Sequence, residues 1–283
     1  MKIKKLKTTL PIFVDNKIKS DIVSFSISKN KLLNIIFEYY MDKKLYFNNL
    51  ESFNGKILQF NLNKNMDLLY DDVIESNKIK SEAQYLRDII FNYSNLPKYK
   101  REEIIFKKSF EILYESIEDK IKIKFIYNKK LRNVEPLFLI SGDRDSRNYL
   151  YCYCLKSEEY RVYKVRNIES VRRTIERIEK SDYFYASQVK ENFDPFLSYG
   201  REVVVKLNDT GKRLLDVIVE NRPKVLKVDD DIYTFECAIK KAQVYFPQFL
   251  SNMEVLEPQI LREWFIKEYK KAYEVYKEER NGE

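Results

Sequence analysis

Residues 120–174 read KIKIKFIYNKKLRNVEPLFLISGDRDSRNYLYCYCLKSEEYRVYKVRNIESVRRT, and this stretch decides the fold of the middle of the chain. Apolar and polar residues alternate there in short runs separated by polar turns, a pattern typical of half-buried β-strands. Pro136 predicts an edge position or a β-bulge, because proline cannot donate to a strand ladder. Five short strands at close spacing predict a small barrel rather than an open sheet. They cover residues 121–127, 134–140, 149–155, 161–165 and 168–174.

A set of motif residues recurs in order along these strands: Tyr127, Arg132, Val134-Glu135-Pro136, Tyr149-Leu150, Arg161, Tyr163, Lys164 and Ile168. In order and spacing they resemble the WYL-domain family. Asn148 departs from the family pattern, which has tryptophan there, and Arg166-Asn167 stands where the family more often has an acidic residue followed by arginine. The resemblance implies an Sm-like barrel that binds nucleic acid or a nucleotide-type ligand. Such domains usually accompany a DNA-binding module in bacterial regulators, including regulators of phage defence.

Aromatic and basic residues of the predicted barrel are candidates for ligand binding. Three tyrosines fall on the strand face opposite Leu150, Cys152 and Cys154, and such a stripe can stack unpaired bases. The alternative is that the stripe packs under a helix or in a domain interface. Basic residues of the fourth strand and the turn after it can hold phosphates. The candidates are Tyr127, Arg132, Tyr149, Tyr151, Tyr153, Arg161, Tyr163, Lys164 and Arg166.

Composition favours a nucleic-acid partner and excludes several kinds of chemistry. The chain has 283 residues and a net charge of +8, so it has room for two or three domains, and its excess of cations either attracts an anionic partner such as nucleic acid or only makes the surface soluble. It has no histidine, which removes the commonest general base and metal ligand. No glycine-rich phosphate loop occurs among its five glycines. Cys152 and Cys154 are predicted to be buried, so we expect no metal and no cofactor.

Two similar nonapeptides occupy the N-terminal part of the chain. Residues 22–30 read IVSFSISKN and residues 57–65 read ILQFNLNKN, and an apolar helical pattern follows each. We interpret them as a duplicated strand-helix unit. The second copy continues into another helix over residues 81–93, which a capping box from Ser81 to Gln84 begins. Strand, helix, turn and helix predict a ribbon-helix-helix-like module, and residues 45–53 leave room for only a stunted second helix in the first copy.

A two-stranded ribbon of this kind can enter the major groove of DNA. The predicted alternation turns Ser24 and Ser26 outward in the first strand, and Gln59 and Asn61 in the second. Amide side chains can pair with adenine, although these residues can equally be solvent-facing. Whether the ribbon forms within one chain or between chains stays open. Residues 1–9 are predicted to be a loosely held basic arm, and residues 10–14 a short strand.

The remaining segments predict a linker helix and a C-terminal α+β module. The predicted elements are a strand (202–207), a helix (208–221), a hairpin (224–228 and 232–239) and a second helix (244–250) that Pro247 kinks or delays. This is a ferredoxin-like order. Residues 254–258, EVLEP, with Leu261-Arg262 are similar to an extension that follows WYL domains and commonly serves dimerisation or ligand gating. Aromatic residues of the final helix predict a homodimer interface: Trp264, Phe265, Tyr269, Tyr273 and Tyr276.

The sequence therefore predicts an α+β protein of five segments. They are a ribbon-helix-helix-like module (1–97), a linker helix (98–119), an Sm-like WYL barrel (120–180), a linker (181–200) and a dimerising ferredoxin-like module (201–283). No segment is apolar enough to span a bilayer, so we expect a cytoplasmic protein with no membrane partner.

Three functions are compatible with these features. The order of modules resembles that of the WYL accessory proteins of type VI CRISPR systems, which implies single-stranded RNA binding and modulation of an RNA-guided RNA nuclease. The alternative is a DNA-binding repressor whose barrel senses a nucleotide-like ligand. An enzyme would need a metal at Asp143 and Asp145 or at residues 229–231. Aspartate is the expected residue in such hairpin turns, so a non-enzymatic regulator is predicted.

Overall fold

The computed structural model describes residues 3–45, 54–142 and 147–278. The chain divides into two compact units, residues 1–180 and 181–283. The first unit holds an N-terminal ribbon with its helices and a five-stranded antiparallel sheet, and the second holds a four-stranded antiparallel sheet with helices. The predicted α+β class is confirmed.

The N-terminal module repeats the order strand, helix, helix. Its elements are β1 (Lys5–Pro11), α1 (Ile12–Ser24), α2 (Lys29–Tyr40), β2 (Gly55–Asn61), α3 (Lys64–Ser76) and α4 (Glu82–Asn95). Strands β1 and β2 pair antiparallel, so one chain supplies both strands of the ribbon. The apolar faces of ribbon and helices share one core, whose fully buried members include Leu10, Ile18, Leu32 and Tyr70.

The two helix-helix turns of this module have the same backbone geometry. The amide of Phe25 donates to the Asp21 carbonyl, as that of Asn77 donates to the Val73 carbonyl. Ser26 and Lys78 follow these positions, and both have a φ of 51°. The strand-helix-helix repeat is therefore present in the structure, and the turn between α1 and α2 corresponds to the turn between α3 and α4.

The strand predicted over residues 22–30 is wrong. Val14, Ile18 and Asp21 are buried at helical spacing, and the helix that carries them continues to Ser24. Ser24 ends that helix and Ser26 lies in the turn after it, so neither belongs to the ribbon. The similarity of the two nonapeptides aligned elements that do not correspond. It matched the start of α2, which is the second helix of the first repeat, with the start of α3, which is the first helix of the second repeat.

The first strand of the ribbon was predicted as a loose arm. Residues 5–11 form β1, so the strand predicted over residues 10–14 is wrong beyond Pro11, because α1 begins at Ile12. Side chains cap α2 through Ser28, α3 through Asn63 and α4 through Ser81. The predicted capping residue of α4 is thus confirmed. Residues 46–53, where a stunted helix was predicted, lie outside the described residues.

Two helices replace the single predicted linker helix. They are α5 (Lys98–Ile105) and α6 (Lys107–Glu118), and they break at Phe106, which lies between them. Phe106 packs against both the core of the N-terminal module and the core of the five-stranded sheet. The break thus places one aromatic side chain at the junction of two cores.

The five-stranded sheet has the strand order β6-β5-β4-β3-β7. Strand β7, the last of the five along the chain, thus pairs with β3, the first. Its strands are β3 (Ile121–Tyr127), β4 (Lys130–Gly142), β5 (Arg147–Cys154), β6 (Glu159–Lys164) and β7 (Glu169–Arg177). The register of β4 on β5 shifts between Pro136 and Phe138, so the predicted bulge is confirmed in a central strand. Helix α6 covers one face through Phe110 and Leu113, which pack with Leu150 and Cys152.

The C-terminal unit begins with a helix inside the predicted linker. Its elements are α7 (Tyr183–Glu191), β8 (Glu202–Leu207), α8 (Asp209–Val217), β9 (Lys224–Asp229), β10 (Ile232–Glu236), α9 (Ile239–Tyr245), β11 (Met253–Glu257) and α10 (Gln259–Glu278). The sheet order is β11-β8-β10-β9. The helix predicted over residues 244–250 begins earlier, at Ile239, and ends at Tyr245, and a 3₁₀ segment that contains Pro247 follows it. No helix in the described ranges is long and apolar enough to cross a membrane.

Candidate nucleic-acid interface

The exposed face of the ribbon carries cations and amides on neighbouring strands. Lys5 lies opposite Asn61 and Lys7 lies opposite Gln59 in the antiparallel register. All four side chains are exposed, whereas the intervening Leu6, Leu58 and Phe60 are buried. The predicted outward orientation of Gln59 and Asn61 is thus confirmed. The lysines were missed because the first strand was placed 17 or more residues too late, in residues 22–30.

Both second helices of the repeats adjoin this ribbon. The hydroxyl of Thr8 in β1 donates to the carbonyl of Ala83 in the first turn of α4 at 2.6 Å. The amide of Asn34 in α2 donates to the carbonyl of Asn61 at 3.0 Å. These contacts fix the ribbon on the helices, so its exposed side chains project from a rigid base.

Ser24 faces the five-stranded sheet. Its carbonyl accepts a hydrogen bond from a guanidinium nitrogen of Arg166 at 3.3 Å, and its hydroxyl accepts one from Lys98 at 2.9 Å. Ser26 lies in the adjoining turn. The structure therefore does not bring Ser24 and Ser26 together with Gln59 and Asn61 on one strand face.

Two of the three stripe tyrosines are buried. Tyr149 is 2% exposed and Tyr151 is 0% exposed, while Tyr153 is half-buried. The Tyr151 ring stacks on Phe138 with centroids 4.7 Å apart and on Tyr160 with centroids 5.4 Å apart. The rings that keep partial exposure in this region are those of Tyr127, Tyr153 and Tyr160.

Tyr163 and its neighbours form a second aromatic group. Tyr163 is buried, and its ring meets Tyr127 edge to face at 4.8 Å. Burial raises the pKa of the Tyr163 hydroxyl, as do the nearby thiols of Cys152 and Cys154, and the guanidinium of Arg132 opposes them. The Nε atom of Arg132 is buried without a hydrogen-bond partner among the described residues.

The basic candidates are engaged in different ways. Arg161 makes an ion pair with Glu159 of its own strand and donates to Ser157. Arg166 donates to Ser24, and its backbone amide donates to the carboxylate of Glu102 at 3.1 Å. Lys164 is half-buried at the end of β6. Arg161 and Lys164 are thus surface cations of the sheet, whereas Arg166 lies in the junction between the module and the sheet.

Sequence reasoning missed a buried polar junction on α5. Glu102 is 1% exposed and accepts hydrogen bonds from the backbone amide and the side-chain nitrogen of Asn148, at 3.0 and 2.9 Å. Burial raises the pKa of Glu102, and the hydrogen bonds from Asn148 and Arg166 oppose that shift. The departure from the family pattern at Asn148 was the available signal, because a polar residue at a buried position needs a partner.

The preceding residue of α5 faces the N-terminal module. Arg101 makes a buried ion pair with Asp21, with Nε and Oδ2 2.7 Å apart, and Asp21 also accepts a hydrogen bond from Tyr93 at 2.8 Å. Adjacent residues of one short helix thus bind two different cores. Helix α5 is a structural link and not a flexible connection.

The glutamate of the Val134-Glu135-Pro136 motif has a structural contact of its own. Glu135 is fully buried, and its carboxylate accepts hydrogen bonds from the backbone amides of Glu179 and Lys180 at 3.0 Å each. Lys122 lies 4.0 Å from this carboxylate. Glu135 therefore holds the end of the first unit against its sheet.

Two acidic turns were considered for an enzyme, and the structure describes only the one that follows β9. Asp143 and Asp145 lie outside the described residues. In the turn after β9, Asp231 makes an ion pair with Lys212 at 2.6 Å, which lowers the pKa of Asp231. Within the described ranges, no three histidine, cysteine, aspartate or glutamate side chains are grouped as metal ligands would be.

The chain is thus a protein of several modules. Helix α5, through its buried polar side chains, joins a β-ribbon module to a small antiparallel sheet, and a second α/β unit follows along the chain. Residues 108–173 match the model of the WYL domain. The chain therefore contains a WYL domain, and the resemblance inferred from its motif residues is confirmed.

Solved structures include relatives of the fold. A structure described as the crystal structure of a CRISPR Cas-related protein superimposes with a TM-score of 0.69 at 16% identity, over 99% of this chain and 95% of that chain. The proteasome accessory factor B/C (PafBC) of Arthrobacter aurescens aligns at 12% identity over 92% of this chain and 48% of its own, with a TM-score of only 0.31. A comparison with curated protein sequences gave no match.

Proposed function

We propose that this protein is a non-enzymatic nucleic-acid-binding regulator whose N-terminal ribbon contacts duplex DNA. The observation that carries the proposal is the exposed ribbon face, where Lys5 and Lys7 lie opposite Asn61 and Gln59. A two-stranded ribbon fits the major groove. Lysine can donate to guanine and amide side chains can pair with adenine, so this face has the chemistry that base recognition needs.

The repeat supports a single-chain ribbon-helix-helix assignment for this module. Strand, helix and helix occur twice, and the two strands pair antiparallel within the chain. In the same way, the strand order of the middle sheet supports an Sm-like barrel, and the order of the C-terminal unit supports a ferredoxin-like module.

Fluorescence anisotropy tests the proposal with matched duplex DNA, single-stranded DNA and single-stranded RNA across a salt series. We expect duplex binding by the wild type and a loss of affinity of about tenfold or more in a Lys5→Gln/Lys7→Gln variant. Lys107→Gln/Lys108→Gln removes the same charge from exposed positions of α6 and is the matched control. Equal affinities of the two variants for duplex DNA would refute the ribbon as the contact surface.

The second candidate is single-stranded RNA binding by the WYL domain, with modulation of a CRISPR RNA-guided RNA nuclease. It is favoured by the description of the superimposed structure as CRISPR Cas-related and by half-buried Tyr153 and Tyr160, which pair across β5 and β6 on the strand face that also carries Lys164. Tyr149 and Tyr151 are buried and offer little surface for stacking. A Tyr153→Ala/Lys164→Gln variant that loses single-stranded RNA but keeps duplex DNA would support this candidate over the first.

We also propose that the C-terminal unit forms a homodimer. Trp264, Phe265 and Tyr269 pack on the core of their own unit, but Tyr273 and Tyr276 are 63% and 74% exposed on α10. Exposed aromatic surface of this kind is typical of an interface. Light scattering should give twice the chain mass for the wild type, and a Tyr273→Ser/Tyr276→Ser variant should shift toward the monomer. A monomeric wild type at micromolar concentration would refute the proposal.

A further inference from the structure

The N-terminal module contains a cavity of about 380 Å³ away from its ribbon strands. It lies between the segment after α2 and the turn that joins α3 to α4. Exposed cations line it from both sides, and buried apolar and polar side chains lie behind them. The cations are Lys43, Lys44, Lys78 and Lys80, and the buried residues are Leu45, Tyr85 and Asp88.

The corresponding turn of the first repeat is used for packing. Phe25 meets Phe106 edge to face at 6.0 Å, and the neighbouring Ser24 is bonded to Lys98 and Arg166. In the second repeat, Asn77 corresponds to Phe25 and Lys78 corresponds to Ser26, because their turns have the same hydrogen bonds. The same backbone thus presents an aromatic contact in one repeat and polar, cationic groups in the other.

The cations around the cavity lack acidic partners in the described part of the chain. Among these residues, none of the four lysines makes an ion pair, and Lys43 lies instead over the Tyr39 ring, with Nζ 3.1 Å from its centroid. Four like charges on facing segments repel one another, so an anion between them stabilises the arrangement. The adjacent N-terminus of α4, capped by Ser81, adds a partial positive charge.

The other residues that line the cavity favour a nucleotide over a bare phosphate as the ligand. Tyr85 and Ile79 provide apolar surface, and burial raises the pKa of the Tyr85 hydroxyl to about 12, so that it stays neutral. The buried Asp88 carboxylate accepts a hydrogen bond from Gln84 at 2.9 Å, which holds this side-chain amide at the wall of the cavity. Cavities of a few hundred cubic ångströms with few polar groups suit small organic ligands.

We propose that this cavity binds a nucleoside polyphosphate. Its phosphates are held by Lys44, Lys78 and Lys80, and its base lies against Ile79 and Tyr85 near the Asp88 and Gln84 pair. The site is independent of the ribbon face and of the WYL domain, so it gives the module a small-molecule input separate from nucleic-acid contact.

Isothermal titration calorimetry of the full chain tests the site, with ATP, GTP and inorganic pyrophosphate as probes. We expect at least one nucleotide to bind more tightly than pyrophosphate, and a Lys78→Glu/Lys80→Glu variant to weaken that binding about tenfold or more. The matched control, Lys107→Glu/Lys108→Glu, should stay within about twofold of the wild type. The single variants Lys44→Gln and Lys78→Gln, at exposed positions, test the site again if the double variant fails to fold.

Three outcomes would overturn the proposal. They are no nucleotide binding at millimolar concentration, pyrophosphate binding as tight as that of both nucleotides, and nucleotide binding that the lysine variants leave unchanged. If only oligonucleotides bind, and bind through Lys78 and Lys80, the lysines contact a nucleic-acid backbone and the cavity is not a nucleotide site.

Discussion

The carboxylate of Glu102 lies 2.9 Å from the side-chain nitrogen of Asn148, which also donates a hydrogen bond to the backbone carbonyl of Tyr99 at 2.8 Å. The same carboxylate accepts the backbone amides of Asn148 and Arg166. Helix α5 is thereby bonded to β5 and to the turn after β6. The junction connects the ribbon module to the WYL domain through the buried Glu102 and Asn148 and the half-buried Arg166.

Replacing Asn148 should destabilise the first unit. An Asn148→Ala variant leaves the buried Glu102 carboxylate without its side-chain donor, and we expect a loss of about 2 kcal/mol in the free energy of unfolding. Urea unfolding measures this loss. Asn65→Ala, at an exposed position of α3, is the control and should change stability by less than about 0.5 kcal/mol. Equal effects of the two substitutions would contradict the junction.

The pH dependence of stability should reveal the buried carboxylate. The folded-state pKa of Glu102 lies above its ordinary value of 4.5, so the native chain binds this proton more tightly than the unfolded chain does. Its contribution to stability is therefore largest below pH 4.5 and is lost as pH rises through the folded-state pKa. Relative to Glu102→Gln, the wild type should gain stability as pH falls through that window. A constant difference between the two would contradict the shift.

The buried ion pair on the other side of α5 should be worth more than an exposed one. Arg101→Ala leaves Asp21 charged and buried, and we expect a cost of about 3–5 kcal/mol. Lys100→Ala breaks the more exposed pair with Glu103 and should cost less than about 1 kcal/mol. The double variant Asp21→Ala/Arg101→Ala should lose less than the sum of its single variants. Additive losses in urea unfolding would show that the two side chains do not interact.

Gly211 offers a test of packing against helix propensity in the C-terminal unit. Alanine in a helix is favoured over glycine by about 1 kcal/mol. A Cβ atom at Gly211, however, would clash with the Asn252 carbonyl oxygen, and such overpacking costs about 1–3 kcal/mol. Gly211→Ala should therefore lower the melting temperature, whereas Thr210→Ala in the same turn should leave it nearly unchanged. A raised melting temperature for Gly211→Ala would mean that the backbone relaxes freely.

The five strands of the WYL domain could be predicted because their alternation is local. Pro136 even marked its bulge in advance. The ribbon could not be placed in the same way, since residues 22–30 and 57–65 are alike for a reason unrelated to strand pairing. In each nonapeptide the last two residues are the first two residues of a helix, which begins at Lys29 in one and at Lys64 in the other. The antiparallel register, in which Lys7 pairs with Gln59, identifies the true first strand.

The exposure of the β5 tyrosines could not be predicted, because it depends on tertiary packing and the alternation of apolar and polar residues gives only the face on which a side chain lies. Tyr149 and Tyr151 do lie opposite Leu150 and Cys152, but both faces of β5 are covered. Phe138 and Tyr160 cover Tyr151, and contacts from α5 reach the same strand. Glu102 was hidden for the same reason, because a glutamate on a charged helix gives no local sign that it will be buried.

Selection from a randomised pool of duplex DNA tests the central claim most directly. The full-length wild type should enrich a sequence motif, because its ribbon presents Gln59 and Asn61 to base edges, and Gln59→Ala/Asn61→Ala should lose that motif while it keeps its fold. A pool in which the wild type enriches nothing, or in which the variant enriches the same motif, would contradict the assignment of the ribbon as the surface that reads DNA.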